Sequence, residues 1–196
     1  VAFFTLQSAD EVDFDTYEAL FFDDELLTLE NIWDIFQKND AAIRADFEIL
    51  TTDEVSQDIP KTVQVLGAEH IFIEEGAKLN FVTLNASTGP IYIGKNAEIM
   101  EGSVIRGPFA LCEEAQVKMA SKIYGATTVG PHCRVGGEVN NSVLMGYSNK
   151  GHDGFLGNAV LGEWCNIGAD SNNSNLKNNY DEVRLWSYET EGFAKT

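Results

Sequence analysis

Residues 91–136 read IYIGKNAEIMEGSVIRGPFALCEEAQVKMASKIYGATTVGPHCRVG. Ile93, Ile99, Ile105, Leu111, Val117, Ile123, Val129 and Val135 stand six apart, eight in succession. An α-helix returns a side chain to the same face about every 3.6 residues and a flat strand about every two, so neither has this period. A short strand plus a turn, repeated, with one branched side chain pointing inward each time, does have it. The pattern predicts a mainly β protein built as a parallel β-helix of hexapeptide repeats. β-Branched side chains dominate the inward site, as expected for stiff groups stacked in a narrow core. Gly94, Gly130, Gly136, Gly162 and Gly168 each follow such a site, where glycine eases the corner.

The beat extends beyond this stretch. It begins at Ile73 and Leu79 and slips across NASTGP (85–90), which reads as a longer turn. After Val135 it slips to Val143, passes over Asn149 and resumes at Phe155, Leu161 and Ile167. The polar run 170–182 reads as an Asn-rich loop leaving the helix. Its Asn172, Asn173, Asn175, Asn178 and Asn179 suit an amide ladder, contacts to sugar hydroxyls or a plain polar surface. A solenoid needs a cover over its last coil, and none is evident before Thr196, so the chain reads as truncated there.

Upstream, TLENIWDIFQKNDAAIRADFEIL (28–50) places Leu29, Ile32, Trp33 and Phe36, then Ile43, Phe47 and Leu50, at helical spacing. The pattern predicts a helix over about 29–50, with Thr28 as N-cap and an interruption near Asn39-Asp40. Residues 1–27 read as the last strands of something larger, and 51–62 as a linker. Two units result: 1–60, a remnant of a larger domain plus a connecting helix, and 61–196, the β-helix.

Charge follows the same division. Residues 1–60 carry 16 acidic and two basic side chains, and residues 61–196 carry 15 and 11. A formal net charge of −18 argues against nucleic acid or an anionic membrane as partner. No apolar run reaches the ~20 residues of a membrane helix, and no signal peptide is evident. Cys112, Cys133 and Cys165 have no C-x-x-C spacing and are odd in number, so a reducing, cytoplasmic setting is expected.

One histidine stands out. Residues 148–157, SNKGHDGFLG, set His152 among glycines where the aliphatic beat lapses. Imidazole is the side chain best suited to take up a proton near neutrality, and flanking glycines permit a turn pressed close to a ligand. Asp153 or a backbone carbonyl would orient the ring; otherwise His152 is a surface histidine in a turn. His70 and His132 read as structural, and the three histidines offer no metal-binding pair, so no metal is expected.

GHDGFLGNAVLGEWCNIGAD (151–170), followed by NNYD (178–181), resembles the acetyltransferase half of the bifunctional N-acetylglucosamine-1-phosphate uridyltransferase/glucosamine-1-phosphate N-acetyltransferase family. ENIWDIFQKNDAAIRADFEIL (30–50) and TLNASTGPIYIGKNAEIMEGS (83–103) are similar to its Bacteroidetes-type branch. The resemblance implies a left-handed coil, a homotrimer with its site between subunits, and acetyl-CoA as a substrate. It makes residues 1–60 the tail of an α/β nucleotidyltransferase-like domain, and confines Mg²⁺ to the missing part of that domain. His152 becomes the general base that takes a proton from the sugar amine. Asn179 and Tyr180 fall on the motif that holds substrate and oxyanion. Glu138 and Asn166 match sugar-contacting positions, and Lys122 matches a phosphate-contacting arginine.

Three substitutions depart from the family pattern. Asn140 stands for a phosphate-binding lysine, Phe155 for a tyrosine and Asn158 for an aspartate. Four extra residues precede NNYD. These changes thin the cationic grip on a sugar phosphate. The coils that bind the coenzyme would follow Thr196. The implied activity is acetyl-CoA-dependent N-acetyl transfer to an amino-sugar phosphate within a protein making UDP-N-acetylglucosamine. The alternative is a non-catalytic β-helix that trimerises and positions a nucleotidyltransferase, since a fold alone does not fix a function.

Overall fold

The computed structural model describes residues 26–173 and 176–195. The strands expected over 1–27 therefore lie almost wholly outside the described residues. From Gln64 onward the chain forms a left-handed parallel β-helix of about five turns. Its strands stack on three faces. The first face holds Ile71–Ile73, Ile91–Ile93, Phe109–Leu111 and Thr127–Val129. The second holds Lys78–Leu79, Glu98–Ile99, Gln116–Val117, Arg134–Val135 and Asn149–Lys150. The third holds Gln64–Leu66, Thr83–Asn85, Val104–Arg106 and Lys122–Tyr124. The longer strands Glu138–Leu144 and Phe155–Leu161 begin on the third face and finish on the first.

The six-residue beat is the core. Each of the eight aliphatics from Ile93 to Val135 is at most 1% exposed. They stack in register, Ile93 on Leu111 on Val129, Ile99 on Val117 on Val135, and Ile105 on Ile123. Burying such a side chain contributes about 1.5–3 kcal/mol, and every coil repeats the gain.

After Val135 the phase agrees only in part with the sequence reading. Leu161 is buried and Ile167 packs partly against the core, as expected, but Val139, Leu144 and Leu156 take the other inward positions, while Val143 and Phe155 are only half-buried. Two local changes cause the shift. Only Gly136 and Gly137 separate Val135 from Glu138, where the preceding coil places Lys118 to Ser121 between Val117 and Lys122. In addition, Glu138–Leu144 and Phe155–Leu161 round their corner without a break in the strand. Asn141 and Asn158, both at φ 46°, take up that bend, and the Asn141 amide donates to Asn158 Oδ1 at 2.8 Å. The inward place beneath Val135 belongs to Lys150, not Asn149.

The connecting helix is two pieces, α1 (Asp34–Gln37) and α2 (Asn39–Thr51), with the break at Lys38. It starts later than expected, and Thr28 does not cap it. The Asp34 carboxylate instead accepts the backbone N–H groups of Glu30 (2.8 Å) and Asn31 (3.0 Å), which pins the incoming turn. These bonds hold its carboxyl below the usual range.

The helix lies along the outer side of the first face. There the outward residues Phe72, Tyr92, Ala110, Thr128, Val143 and Val160 form one continuous row. Ile43, Phe47 and Leu50 face Tyr92, Ala110 and Thr128 across a narrow crevice, and α1 contacts the two long strands. Asn39 bolts the seam: it donates to Ala126 O at 2.9 Å and accepts from the Thr128 hydroxyl at 2.9 Å. The expected linker joins the solenoid at Ser56 and Gln57, which bond to the Ile73 backbone.

The Asn-rich run begins along the edge of the final described coil. The Asn172 side chain accepts from Phe155 N at 2.7 Å. Asn173 accepts from Gly157 N (2.9 Å) and donates to Gly157 O (2.8 Å), as a neighbouring strand would. These amides close the edge of the third face, which the sequence reading left uncovered; Asn175 lies outside the described residues. An antiparallel hairpin, Arg184–Ser187 with Gly192–Lys195, follows. Among the described residues no helix is long and apolar enough to cross a membrane.

Candidate functional site

The short corner at Gly136-Gly137 shapes the site. The next coil makes its corner with Gly151, His152, Asp153 and Gly154, and this turn sinks into the space left above. A Cβ on Gly137 would stand 2.9 Å from Asp153 Cα and 3.0 Å from His152 O, and Gly137 has φ 72°. Only glycine allows so close an approach. Backbone bonds fix the turn on both sides, from Glu138 N to Gly154 O (3.2 Å) and from Asp170 N to Asp153 O (3.0 Å).

Lys150 supports the turn from inside. It is 2% exposed, and its ammonium donates to Gly136 O (2.8 Å), His152 O (2.7 Å) and Gly154 O (2.9 Å). Burial pushes its pKa down, and the Asp153 carboxylate opposes that. His152 itself is exposed on the outside of the turn. Its ring has no hydrogen-bond partner among the described residues; neither Asp153 nor a carbonyl orients it.

Beside this turn the third face carries four of the residues singled out in the sequence. Lys122 pairs with Glu138 in the ladder, and Glu138 with Phe155. The Lys122 ammonium is 3.2 Å from Glu138 Oε2, and the Tyr124 hydroxyl donates to Glu138 Oε1 at 2.6 Å. Tyr124 and Lys122 together hold the Glu138 carboxyl below its usual range. Asn140 lies opposite Tyr124. A cleft of about 580 Å³ opens next to Lys122 and Tyr124, lined also by Val104, Arg106, Thr88 and Asp40.

Arg106 and Tyr124 were not legible as site residues. Arg106 is exposed in that cleft and has no ion-pair partner among the described residues. Tyr124 is bound to the predicted Glu138 from the coil above. The only signal for either is register: each sits on the outward position of a rung of the third face, one coil apart.

The remaining candidates lie elsewhere. Asn166 is on the second face, bridged to Asn149, whose amide donates to Asn166 Oδ1 at 2.8 Å. Asn179 bonds to Asp181 within its own turn, and Tyr180 is 81% exposed. Among the described residues no hydrogen bond joins these three to His152. His132 belongs to a corner stack, its ring 4.8 Å from Tyr147, which lies 4.6 Å from Trp164. Its Nδ1 is 3.2 Å from Glu114.

Chemically, the corner joins an exposed imidazole on a firmly held turn to a face that offers a carboxylate, a phenol and two cations. That set suits a polyhydroxylated, anionic ligand with a proton to remove. Residues 1–55 match the family model described as sugar nucleotidyl transferase. The match covers the acidic segment and the helix that leads to the solenoid, not the β-helix. No curated protein matches the chain.

Proposed function

We propose that the β-helix is an acetyl-CoA-dependent N-acetyltransferase acting on an amino-sugar phosphate of the glucosamine-1-phosphate type, joined to a sugar nucleotidyltransferase. The observation that carries this reading is the Lys150-supported turn holding His152 exposed beside the Lys122–Glu138 pair. In the reaction His152 takes a proton from the sugar ammonium, freeing the nitrogen lone pair to attack the thioester carbonyl. The tetrahedral adduct then collapses: the C–S bond breaks, the nitrogen's second proton passes to the departing sulfur, and the coenzyme leaves as a thiol. A well-placed base contributes about 100- to 10,000-fold to such a step.

Glu138 accepts hydrogen bonds from sugar hydroxyls, and Phe155 and Asn140 line the ring's path. Lys122 and Arg106 supply the cationic grip that Asn140 does not. Asn166, Asn179 and Tyr180 lie away from this face and serve the crevice of a neighbouring subunit in a homotrimer. The sugar nucleotidyl transferase match at residues 1–55 supports a product destined for nucleotide activation, as in UDP-N-acetylglucosamine synthesis in the cytoplasm. Mg²⁺ belongs to the nucleotidyltransferase reaction and has no part in acetyl transfer.

The second reading, a non-catalytic β-helix that trimerises and positions the nucleotidyltransferase, draws on the lack of a partner for the His152 ring. A thiol-release assay on the full-length protein, coenzyme-binding coils included, with acetyl-CoA and a panel of amino sugars, with and without a 1-phosphate, separates the two. The acetyltransferase reading expects release with an amino-sugar 1-phosphate. Release at background level with every acceptor overturns it in favour of the second.

A further inference from the structure

The buried lysine at position 150 is at odds with the core around it. Its place in the second-face column is taken by Leu79, Ile99, Val117 and Val135 in the coils above. An aliphatic side chain there would satisfy the packing with no polar group to hide. Burying an ammonium costs several kcal/mol unless hydrogen bonds compensate, and replacing a buried charge with a well-packed hydrophobe is often neutral or stabilising. Stability alone therefore does not account for Lys150.

What the lysine achieves is local. An ammonium has three donors and a neutral amine only two. Three backbone carbonyls stand within 2.7–2.9 Å of Nζ, those of Gly136, His152 and Gly154. The arrangement is that of the charged form, fully satisfied without a carboxylate partner. Two of its acceptors belong to the turn that carries His152, and the third belongs to the shortened corner against which the turn packs. The shortened corner, Gly137 above the turn and the inward lysine form one device.

We propose that Lys150 is a positioning residue: its buried ammonium ties down the 151–154 turn and so sets where the His152 imidazole stands. The proposal rests on the acetyl-transfer reading for what the positioning serves, but the geometry of the turn can be tested without it. Displacing a reacting group by about 1 Å costs on the order of 100-fold in rate.

The test uses the intact chain with Lys150→Met, which restores an apolar core position. Amide hydrogen exchange is read at Glu138 and Asp170, whose N–H groups bond to Gly154 O and Asp153 O. Lys118 and Arg134, which bond to Val135 O and Ser148 O, are the controls. The proposal expects exchange at Glu138 and Asp170 to rise at least about tenfold, with the controls unchanged and thermal stability equal or higher. In the transfer assay kcat falls about 100-fold while KM for the sugar stays within about threefold.

Lys150→Gln, which removes the charge and shortens the side chain while keeping a polar group at the site, should give the same exchange change at Glu138 and Asp170, and it decides the matter if the Met variant does not fold. Exchange within about threefold of wild type at both amides overturns the proposal, as does loosened exchange with unchanged kcat. If wild type shows no transfer at all, the acetyl-transfer reading falls, while the exchange result still decides whether Lys150 holds the turn.

Discussion

Asn39 joins the helix to the solenoid, and replacing it gives a sharp test of that seam. Its side chain is 7% exposed and makes two bonds to the first-face corner, to Ala126 O and from Thr128 Oγ1, each at 2.9 Å. Leucine at this position keeps the volume and removes both bonds, leaving Ala126 O and the Thr128 hydroxyl without their partner. A buried polar group left unpaired costs about 1–3 kcal/mol, so Asn39→Leu should weaken the seam by about 2–5 kcal/mol in all. Adding Thr128→Val removes the stranded hydroxyl, and the double variant should be less destabilised than the two single changes added together, by about 0.5–3 kcal/mol. Denaturant titration gives the energies, and amide exchange across Asn39–Thr51 reports whether the helix has come away. Exchange there should accelerate at least about tenfold. A loss below about 0.5 kcal/mol, or strict additivity of the pair, would refute the claim that these bonds fix the helix to the first face.

Ile123→Ala, in the inner column between Ile105 and Val139, should cost about 2–5 kcal/mol, lowering Tm by roughly 5–15 °C. Val104→Ala, on the outer side of the third face and 50% exposed, should stay within about 0.5 kcal/mol; equal losses in the two melts would contradict the inner column. The Cys112 thiol, pushed up to about 11 by burial first and then by Cys133 and Glu113, should resist alkylation at pH 8 in the folded protein and react once it is unfolded, as mass spectrometry would read. Because Tyr124 and Lys122 lower the Glu138 carboxyl, their stabilising contribution is present above the unfolded pKa and is lost as pH falls through the lowered folded value. Tyr124→Phe should move the Glu138 midpoint upward in a carboxyl-detected NMR titration, and an unmoved midpoint would contradict the Tyr124–Glu138 bond.

The solenoid was legible in sequence because its core depends on a single repeated residue type. Eight aliphatics in phase leave little else for residues 91–136 to be. The phase was lost after Val135 for a specific reason: a period counts residues, and Gly136-Gly137 makes a corner two residues shorter than the one above it. The shift made Val143 and Phe155 look inward, although both face outward. It also hid Lys150, because a lysine does not register in an aliphatic pattern even when it occupies the same site. The shortened corner also brings Lys122 and Glu138 into the same column 16 residues apart, so their pairing does not follow from an 18-residue coil.

Of the candidate residues, Lys122, Glu138, Asn140 and Phe155 come together because alternate positions of a rung share a face. Asn166 falls on another face, and Asn179 and Tyr180 lie in a separate turn, where resemblance of motif carries no information about distance within one chain. The capping by Asn172 and Asn173 was illegible because asparagine amides standing in for a strand look, in sequence, like any polar loop.

The most direct test of the account is the kinetic effect of His152→Ala in the intact protein, with acetyl-CoA and an amino-sugar 1-phosphate as substrates. The account predicts a fall in kcat of about 100- to 10,000-fold with the melting temperature unchanged, since the side chain is exposed. Transfer within about threefold of wild type would contradict it and remove His152 from the chemistry.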